Sequence, residues 1–467
     1  MPLRMFAVPL AWRQLTHQKS RLAVAIAGIT FAIILIFMQI GFQDALFRSA
    51  VRLQTNIQAD VVAISPQSTN LVGMRNFSQR RALQALGFPE VAAVKRIYLA
   101  LTAWKIDENP AGQTRNILVL GADPNASVFL MPGIRENLPL TQEQDAVLFD
   151  RTSRAEFGPI FAQGVCGPTV PPACQARVAA LLQQTTPESF AANHDVIREV
   201  GGRQVRVRGF FELGSSFAAD GAIVTSELNF LRIFDQRRPG LINIAAIDLQ
   251  PGLPAAARYE FIYRWAMAQP GDRVFLPARK LPADGRRVQK VPGDAARVMV
   301  RKADLTVDDL RRTEDVTADD LRILTQGGFI EFERSYWQNS TAIGFIFTLG
   351  TVMGFIVGVV VVYQILYTDV SDHMAEYATL KAMGYSNLFL SWVVIQEALV
   401  LAVLGYIPGF GVGWFLYNLT RNATRLPLAM TLERGLQVFA LTVLMCAISG
   451  AISLRKVQSA DPAEMFT

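Results

Sequence analysis

The sequence has few residues of the kinds that carry out catalysis or bind metals. Its three histidines, His17, His194 and His373, have no neighbours at a metal-ligand spacing. It has neither a G-x-x-x-x-G-K-[ST] phosphate loop nor a G-x-S-x-G nucleophile turn. ATP binding through such a loop and esterase-type catalysis are therefore excluded. We expect no catalytic residue, no cofactor and no metal site in this chain.

Charged residues are also scarce. They make up 18% of the 467 residues, against 51% hydrophobic residues and a mean hydropathy of +0.26. This balance is typical of a membrane protein with a sizeable water-exposed part. The stretch 256–312 holds thirteen Lys and Arg against seven acids, which accounts for the whole net charge of +6. Because these residues form no patch interleaved with aromatics, we expect a solvated insertion and no nucleic-acid binding.

Four apolar runs are long enough to cross a bilayer as helices. Arg13, Lys19 and Arg21 precede the first run, and Arg455 and Lys456 follow the fourth. Basic flanks favour the cytoplasmic side, so we expect both termini in the cytoplasm. The expected order is an amphipathic cytoplasmic segment (1–21), transmembrane helix 1 (22–43), a periplasmic domain (44–338), helix 2 (339–367), a cytoplasmic coupling helix (368–387), helix 3 (388–417), a periplasmic loop (418–434), helix 4 (435–454) and a cytoplasmic tail (455–467).

The large segment between the first two runs mixes strand and helix signals without strict alternation, which predicts an α+β domain. Gly201–Arg203 predicts a hairpin turn between two strands, and Ser226 is placed to cap a helix. The stretches near 164–193 and 256–320 are rich in Pro, Ala, Gln or Arg, and we expect loop-like insertions there. The predicted fold is an α-helical membrane protein with four transmembrane helices and this domain inserted between the first and second spans.

The three cysteines have different surroundings. Cys446 lies within the fourth apolar run and is expected to act as a small apolar residue. Cys166 and Cys174 bracket the sequence GPTVPPA in the first expected insertion. In an oxidising compartment they can form a disulfide, and two free thiols are the alternative.

The third apolar run contains two unusual features. Gly405, Gly409 and Gly413 are spaced by four, which gives a smooth helix face for close approach of another helix. Glu397 lies within the run, where a carboxylate is costly and usually faces protein or water. Two interpretations stay open for Glu397: a polar contact that holds helices together, or a direct role in transport.

The stretch Tyr367–Tyr385, between the second and third runs, predicts a short amphipathic helix. Its apolar residues recur every three or four positions: Val370, Met374, Tyr377, Leu380 and Met383. Gly384 is placed to end this helix and Ser386 to cap the next one. The helix is either a connector between two membrane spans or a docking site that takes force from a partner.

The order of the spans and several motifs resemble one family of membrane proteins. The sequence EYATLKAMGY at 376–385 resembles the E-x-x-x-L-K-A-x-G motif of FtsX/MacB-type permeases of ABC transporters, and ADPAEMF at 460–466 resembles their C-terminal ending. GSSFAADGAIVTSELNFLRIF at 214–234 and SYWQNSTAIGFIFTLGTVMGF at 335–355 are similar to the DevC-type permeases of cyanobacterial exporters.

This resemblance implies a non-catalytic permease in the bacterial inner membrane that works as a homodimer. A separate DevA-like ABC ATPase would bind ATP and Mg, and a DevB-like periplasmic adaptor (a membrane fusion protein) and a TolC-like outer-membrane channel would complete an exporter. ATP-driven changes would move the periplasmic domain by mechanotransmission, and the cargo would be a membrane lipid, a glycolipid-like molecule or another amphipathic molecule. The contact with the ATPase would involve Glu376, Tyr377, Leu380, Lys381 and Gly384.

In this picture the apolar stripe of the short helix fills a groove on the ATPase, and the charged residues set the register. The alternative is a transmembrane signalling or scaffold protein of FtsX type, which would use the same helix to control a periplasmic partner. The DevC similarity favours export. An anchored periplasmic enzyme is the least favoured reading, because the sequence offers no cluster of candidate catalytic residues.

Overall fold

The computed structural model describes residues 19–106, 113–126, 128–216, 219–281, 288–291, 294–424 and 426–458. The chain divides into two compact units. The first combines Met1–Phe47 with Gln338–Thr467, and the second is Arg48–Trp337. The N-terminal part of the expected amphipathic segment, residues 1–18, and the C-terminal motif at 460–466 lie outside the described residues.

The first unit contains four apolar helices that are long enough to span a membrane, as predicted. We name them the first to fourth apolar helices in chain order: Lys19–Ala50, Ala342–Asp372, Asn387–Thr424 and Leu432–Gln458. Each is longer than its predicted span, since the helix continues beyond the apolar run at one or both ends. A fifth helix, Met374–Ala382, connects the second and third, and we call it the short helix.

Large apolar side chains on the second apolar helix point outward. Phe345 is 68% exposed, Leu349 47% and Ile356 48%. In a bilayer this surface faces hydrocarbon or another helix, because lipid tails are as apolar as these side chains. The inward face is made of smaller or branched residues, among them Gly354, Gly358 and Val362.

The second unit is built on a sheet. Its strands are β1 Val61–Ile64, β2 Phe77–Ser78, β3 Val91–Lys105, β4 Thr114–Ala122, β5 Ala146–Asp150, β6 Ala191–Val200, β7 Arg203–Phe211, β8 Ala222–Ser226, β9 Leu241–Ile242, β10 Ile244–Leu249, β11 Arg273–Pro277, β12 Val288–Val291, β13 Asp294–Arg301, β14 Asp315–Thr317 and β15 Arg322–Thr325. The order within the main sheet is β12-β13-β11-β14-β15-β1-β10-β3-β4-β8-β5-β7-β6, while β2 and β9 pair separately.

The long strand β3 joins the two halves of this sheet. Its first part pairs with β10 and its second part with β4, both antiparallel. At the end of β3, Trp104 also pairs with Val200 of β6. That bridge closes the strands β3-β4-β8-β5-β7-β6 into a ring around buried aromatic residues, in which the Trp104 and Phe149 ring centroids are 5.2 Å apart.

The helices of the second unit are short. Their bounds are Arg52–Thr55, Gln79–Leu83, Ile134–Asn137, Ile160–Cys166, Pro172–Leu182, Glu227–Ile233, Ala255–Ala268, Val307–Thr313 and Gln326–Asn339. Together with the largely antiparallel sheet they confirm the predicted α+β class.

Two local predictions in this unit agree with the structure. Gly201 and Gly202, with φ of 58° and 81°, form the turn between β6 and β7, because glycine tolerates left-handed backbone angles. The Ser226 hydroxyl accepts a hydrogen bond from the Asn229 amide and so caps the helix Glu227–Ile233.

The prediction of loop-like insertions is wrong for most of both stretches. The range 164–193 contains the helix Pro172–Leu182, and 256–320 contains the helix Ala255–Ala268 with strands that extend the sheet. Phe261 and Trp265 of that helix are fully buried, as is Val274 of β11. Burial of these side chains stabilises the segment despite its many Pro and Arg residues.

The structure joins Cys166 and Cys174 in a disulfide. Cys166 ends one helix, and Cys174 lies in the first turn of the next. The bond therefore ties two consecutive helices together across the Pro-containing turn between them. Cys446 is buried in the first unit as a free thiol.

Glu333, in the helix Gln326–Asn339, is a fully buried carboxyl group in the second unit. Its Oε2 accepts a hydrogen bond from the Leu71 amide at 2.7 Å, and its Oε1 accepts one from the Trp337 indole at 2.7 Å. Burial raises the pKa of Glu333 from 4.5 to about 7, although the two hydrogen bonds lower it in part. The carboxyl therefore titrates near neutral pH.

We predict that Glu333 makes the folded state less stable as pH rises. With a folded pKa of about 7 against 4.5, the folded state binds more protons than the unfolded state in this window. The favourable contribution is complete below pH 4.5 and lost as pH passes 7. Replacing Glu333 by Gln should remove a pH-dependent change on the order of 3 kcal/mol.

Thermal unfolding of the full chain in detergent between pH 4.5 and 8 measures this effect. The wild type should lose melting temperature across the window, and the Glu333→Gln variant should lose less. Parallel melting curves for the two proteins would show that Glu333 does not titrate as expected.

Candidate functional site

The short helix is set off from its neighbours by two well-defined ends. It begins after His373, whose amide donates to the Asp369 carbonyl at 3.1 Å. It ends at Gly384, whose φ is +91°. The Tyr385 amide donates to Leu380 and the Gly384 amide to Lys381, which is the Schellman pattern of a glycine-terminated helix. This end of the short helix is therefore fixed by its own backbone hydrogen bonds.

A helix cap follows directly after this turn in the chain. The Ser386 hydroxyl accepts a hydrogen bond from the Phe389 amide at 3.3 Å, at the start of the third apolar helix. The glycine stop and the serine cap that the sequence predicts are both present. Only a few residues thus separate two helices, so a displacement of the short helix acts directly on the third apolar helix.

The apolar stripe of the short helix, apart from Met383, faces inward. Tyr377 is 1% exposed and Ala378 is 3% exposed. Tyr377 packs with Val370, Leu390 and Val394, and Leu380 lies half-buried against the same cluster. A helix of nine residues is too short to be stable alone in water, so it buries this face against its own chain.

This packing corrects the expectation that the whole stripe enters a groove on a partner. The Tyr377 ring is enclosed by the second and third apolar helices and cannot contact another protein without leaving them. The outward side of the short helix and its turn includes Glu376, Met383, Gly384 and Tyr385. Of these, Met383 is 63% exposed and Tyr385 46% exposed. Lys381 is half-buried at the edge of this surface.

Glu397 lies in the third apolar helix and is fully buried. Among the described residues, neither of its carboxyl oxygens has a hydrogen-bond partner, and neither does the Tyr377 hydroxyl. Burial, and then the negative charges of Glu397, Asp369 and Glu376, raise the pKa of the Tyr377 phenol. The Tyr377 phenol therefore stays protonated near neutral pH.

The three spaced glycines of the third apolar helix pack against the first. A Cβ atom on Gly405 would lie 2.4 Å from Ile29 Cγ2, and one on Gly409 would lie 2.8 Å from Ile33 Cγ2. A Cβ atom on Gly413 would lie 3.3 Å from Phe37 Cδ2. The contacting residues are themselves spaced by four, so the two helices meet along one continuous line. The Thr30 hydroxyl adds a hydrogen bond to the Gly405 carbonyl at 3.2 Å.

A polar cluster joins the opposite ends of the apolar helices. Arg434 lies in the first turn of the fourth apolar helix and is only 5% exposed. Its guanidinium group forms an ion pair with the Asp44 carboxylate of the first apolar helix. Its guanidinium group lies 5.5 Å from the Tyr417 ring centroid and donates to the Ala429 carbonyl at 2.6 Å. The Tyr417 hydroxyl donates to the Phe37 carbonyl. The cluster thus connects the first, third and fourth apolar helices.

Arg434 is the last residue of the predicted periplasmic loop (418–434), and the sequence analysis assigns it no partner. A signal was available, because Asp44 follows the first apolar run just as Arg434 precedes the fourth. An acid after one span and a base before another can form an ion pair when the two helices are neighbours. The sequence does not show which helices are neighbours.

The predicted residues fall into separate groups. Glu376, Tyr377, Leu380, Lys381 and Gly384 share the short helix and its turn, and Glu397 belongs to the third apolar helix. Cys166 and Cys174 belong to the second unit. In the part of the chain that the structure describes, no group of three or more His, Cys, Asp and Glu side chains is arranged to hold a metal ion.

Residues 340–462 match the sequence model of the family described as FtsX-like permease C-terminal. This range includes the second, third and fourth apolar helices and the short helix. No match was found among curated proteins. The chain is therefore similar to FtsX-like permeases over the region that contains the short helix.

Two solved structures have a weak similarity to the chain. One is the extracellular domain of the noncanonic ABC-type transporter YknZ from Gram-positive bacteria, with 12% identity over 42% of this chain and 85% of that chain and a TM-score of 0.25. The other is the periplasmic region of MacB from Actinobacillus actinomycetemcomitans, with 8% identity over 44% and 83% and a TM-score of 0.26. Similarity at this level supports no inference about function.

We predict that the glycine contacts stabilise the bundle. Replacing Gly405 by Ala forces a Cβ atom against Ile29 and should cost about 1–3 kcal/mol. Gly411 is the matched control, because it lies in the same helix and a Cβ atom there would meet nothing within 4 Å. Thermal unfolding in detergent should show a lower melting temperature for Gly405→Ala but not for Gly411→Ala. Equal melting temperatures for the two variants would contradict this packing.

Proposed function

We propose that this protein is the permease subunit of an ATP-driven ABC exporter, in which a separate ATPase docks on the short helix. The observation that carries the proposal is the match of residues 340–462 to FtsX-like permeases, together with the position of the short helix within that range. The chain has no phosphate loop of its own, so ATP and Mg would be bound by the partner.

The proposed mechanism is mechanotransmission. The basic flanks of the first and fourth runs favour a cytoplasmic location for both termini, and with four spans the short helix would then lie in the cytoplasm as well. In the same order the sheet unit would lie in the periplasm. The first apolar helix continues without a break to Ala50, and the chain returns from the sheet unit through Gln326–Asn339. These connections would carry movement from the ATPase to the periplasmic side.

The docking surface is the outward side of the short helix and its turn. Met383 and Tyr385 supply exposed apolar surface for the contact. Glu376 supplies a charge at the edge of the interface, which can fix the alignment of the ATPase on the short helix. Tyr377 and Leu380 lie on the opposite, inward face, where they fix the short helix to the second and third apolar helices. Gly384 forms the turn that presents Met383 and Tyr385.

An amphipathic cargo such as a lipid or glycolipid-like molecule is the substrate class we propose. A groove of about 520 Å³ between the third and fourth apolar helices supports lipid contact. Its walls include Tyr406, Phe410, Leu436 and Phe439, which suit an acyl chain. The motif similarity to DevC-type permeases supports a homodimer in the inner membrane with a DevB-like adaptor and a TolC-like outer-membrane channel.

The second candidate function is an FtsX-type signalling or scaffold protein, which the family match favours equally. Both functions use an ATPase on the short helix and differ in the periplasmic partner. Copurification of an adaptor and a channel would select the exporter, whereas copurification of a cell-wall hydrolase without them would select the signalling role.

We predict that Met383→Asp strongly weakens binding of the ATPase. An exposed apolar anchor at the centre of an interface contributes about 2 kcal/mol or more, so a charge there should lower affinity roughly thirtyfold. The tagged chain is purified in mild detergent from membranes of its native host, and vanadate-sensitive ATP hydrolysis is measured in the eluate. The matched control is Leu228→Asp, since Leu228 is a 75% exposed side chain in the sheet unit.

The wild type and Leu228→Asp should retain ATP hydrolysis in the eluate, and Met383→Asp should lose it while still inserting into the membrane. Hydrolysis at the wild-type level with Met383→Asp would mean that the ATPase docks elsewhere. A wild-type eluate without hydrolysis would contradict the proposed function itself.

A further inference from the structure

The loop 213–215, which follows β7, is bound on one side to the sheet. The Asp150 carboxylate, at the end of β5, accepts hydrogen bonds from the Leu213 amide at 3.1 Å and from the Gly214 amide at 2.9 Å. Asp150 is fully buried, and Thr152 donates two further hydrogen bonds to it. A buried carboxylate with these partners is held in one position, so this side of the loop follows any movement of β5.

The other side of the loop is bound to the end of the first apolar helix and the residues that follow it. The Arg52 guanidinium group donates to the Leu213 carbonyl at 3.2 Å, and the hydroxyl of the buried Ser49 donates to the Ser215 carbonyl at 3.2 Å. All of these residues belong to the second unit. Leu213 is thus bonded through its amide to β5 and through its carbonyl to Arg52.

Gly214 brings the loop backbone directly against Arg52. Its φ is +87°, and a Cβ atom at this position would overlap the Arg52 Nη1. Any other residue would therefore strain the backbone and collide with the guanidinium group. The negative charges of Asp150 and Glu212 also attract Arg52, which is partly buried. The contact is close and directional, and no side chain of the loop lies between the guanidinium group and the loop backbone.

This contact connects the first apolar helix to a part of the sheet that is distant from its own backbone connection. From this helix the chain leads to β1, and in the sheet β1 is separated from β5 by β10, β3, β4 and β8. The strand β5 pairs with β7 and β8 inside the ring of strands. A movement of the helix end therefore has two routes into the sheet, one through the backbone to β1 and one through Arg52 to β5.

We propose that Arg52 is a positioning residue that passes movements of the first apolar helix to the ring of strands through the loop 213–215. A hydrogen bond from a charged donor is stronger than one from a hydroxyl group, so Arg52 contributes more to this link than Ser49 does. Without the guanidinium group, the helix end stays joined to β1 but loses its main hold on the ring. This role rests on the proposed mechanotransmission, whereas the contact itself does not.

Hydrogen exchange of the purified full chain, measured by mass spectrometry, tests the contact without any partner. Arg52→Ala should raise the exchange rate of the amides in 211–216 about tenfold, because the loop loses a hydrogen bond from a charged group. Gly214→Ala should raise exchange in 48–55, on the other side of the same contact. Arg52→Lys keeps a cation that can donate to the Leu213 carbonyl, so exchange should stay within about threefold of the wild type. Unchanged exchange in both alanine variants would overturn the proposal.

The response to ATP tests the positioning role. Exchange in the complex with its ATPase is compared with and without ATP and vanadate. In the wild type we expect changes both in 48–55 and in the ring strands β6 and β7. In Arg52→Ala the change in 48–55 should persist and the change in the ring should disappear, which loss of stability alone would not produce. A ring response equal to that of the wild type would overturn the proposal. A wild type without any response would contradict mechanotransmission itself, a failure that the partner-free measurement distinguishes from a missing contact.

Discussion

The packing of Tyr377 against the ends of the second and third apolar helices is the contact on which the rest of the structure depends. It anchors a nine-residue helix that could not fold alone. Because its inward face is occupied by the chain itself, only the side with Glu376, Met383 and Tyr385 is open to a partner. The glycine stop and serine cap then join this helix tightly to the third apolar helix. A partner that moves the short helix therefore moves the bundle.

The bundle has the contacts needed to carry such a movement as one body. The glycines of the third apolar helix let Ile29 and Ile33 approach its backbone closely, which leaves little room for sliding. At the far ends, Arg434 links the first and fourth helices through Asp44 and stacks on Tyr417 of the third. An arginine buried to 5% exposure loses its hydration and must keep its partners. Close packing along the helices and the ion pair at their far ends thus stabilise different parts of the same bundle.

The sequence predicts local features well and long-range partners poorly. Apolar run length reveals the four apolar helices, and Gly384, Ser386 and Ser226 mark helix ends, because these signals act within a few residues. The amphipathic stripe of the short helix is visible in the sequence, but whether Tyr377 faces a partner or its own chain depends on how the second and third apolar helices pack against it. The sequence predicts a loop at 256–320 because Pro and Arg obscure short strands whose buried residues alternate, as Val298 and Val300 do. The Arg434 to Asp44 pairing spans 390 positions and has no local signature.

The claim that the short helix and the sheet unit lie on opposite sides of a membrane is tested most directly by cysteine accessibility. Glu376→Cys and Leu228→Cys are exposed positions in the two units. The native Cys166 and Cys174 form a disulfide and Cys446 is buried, so they should add little background. With a membrane-impermeant maleimide on spheroplasts, we expect Leu228→Cys to be labelled at once and Glu376→Cys only after permeabilisation. Labelling of both positions from the same side would contradict mechanotransmission across the membrane.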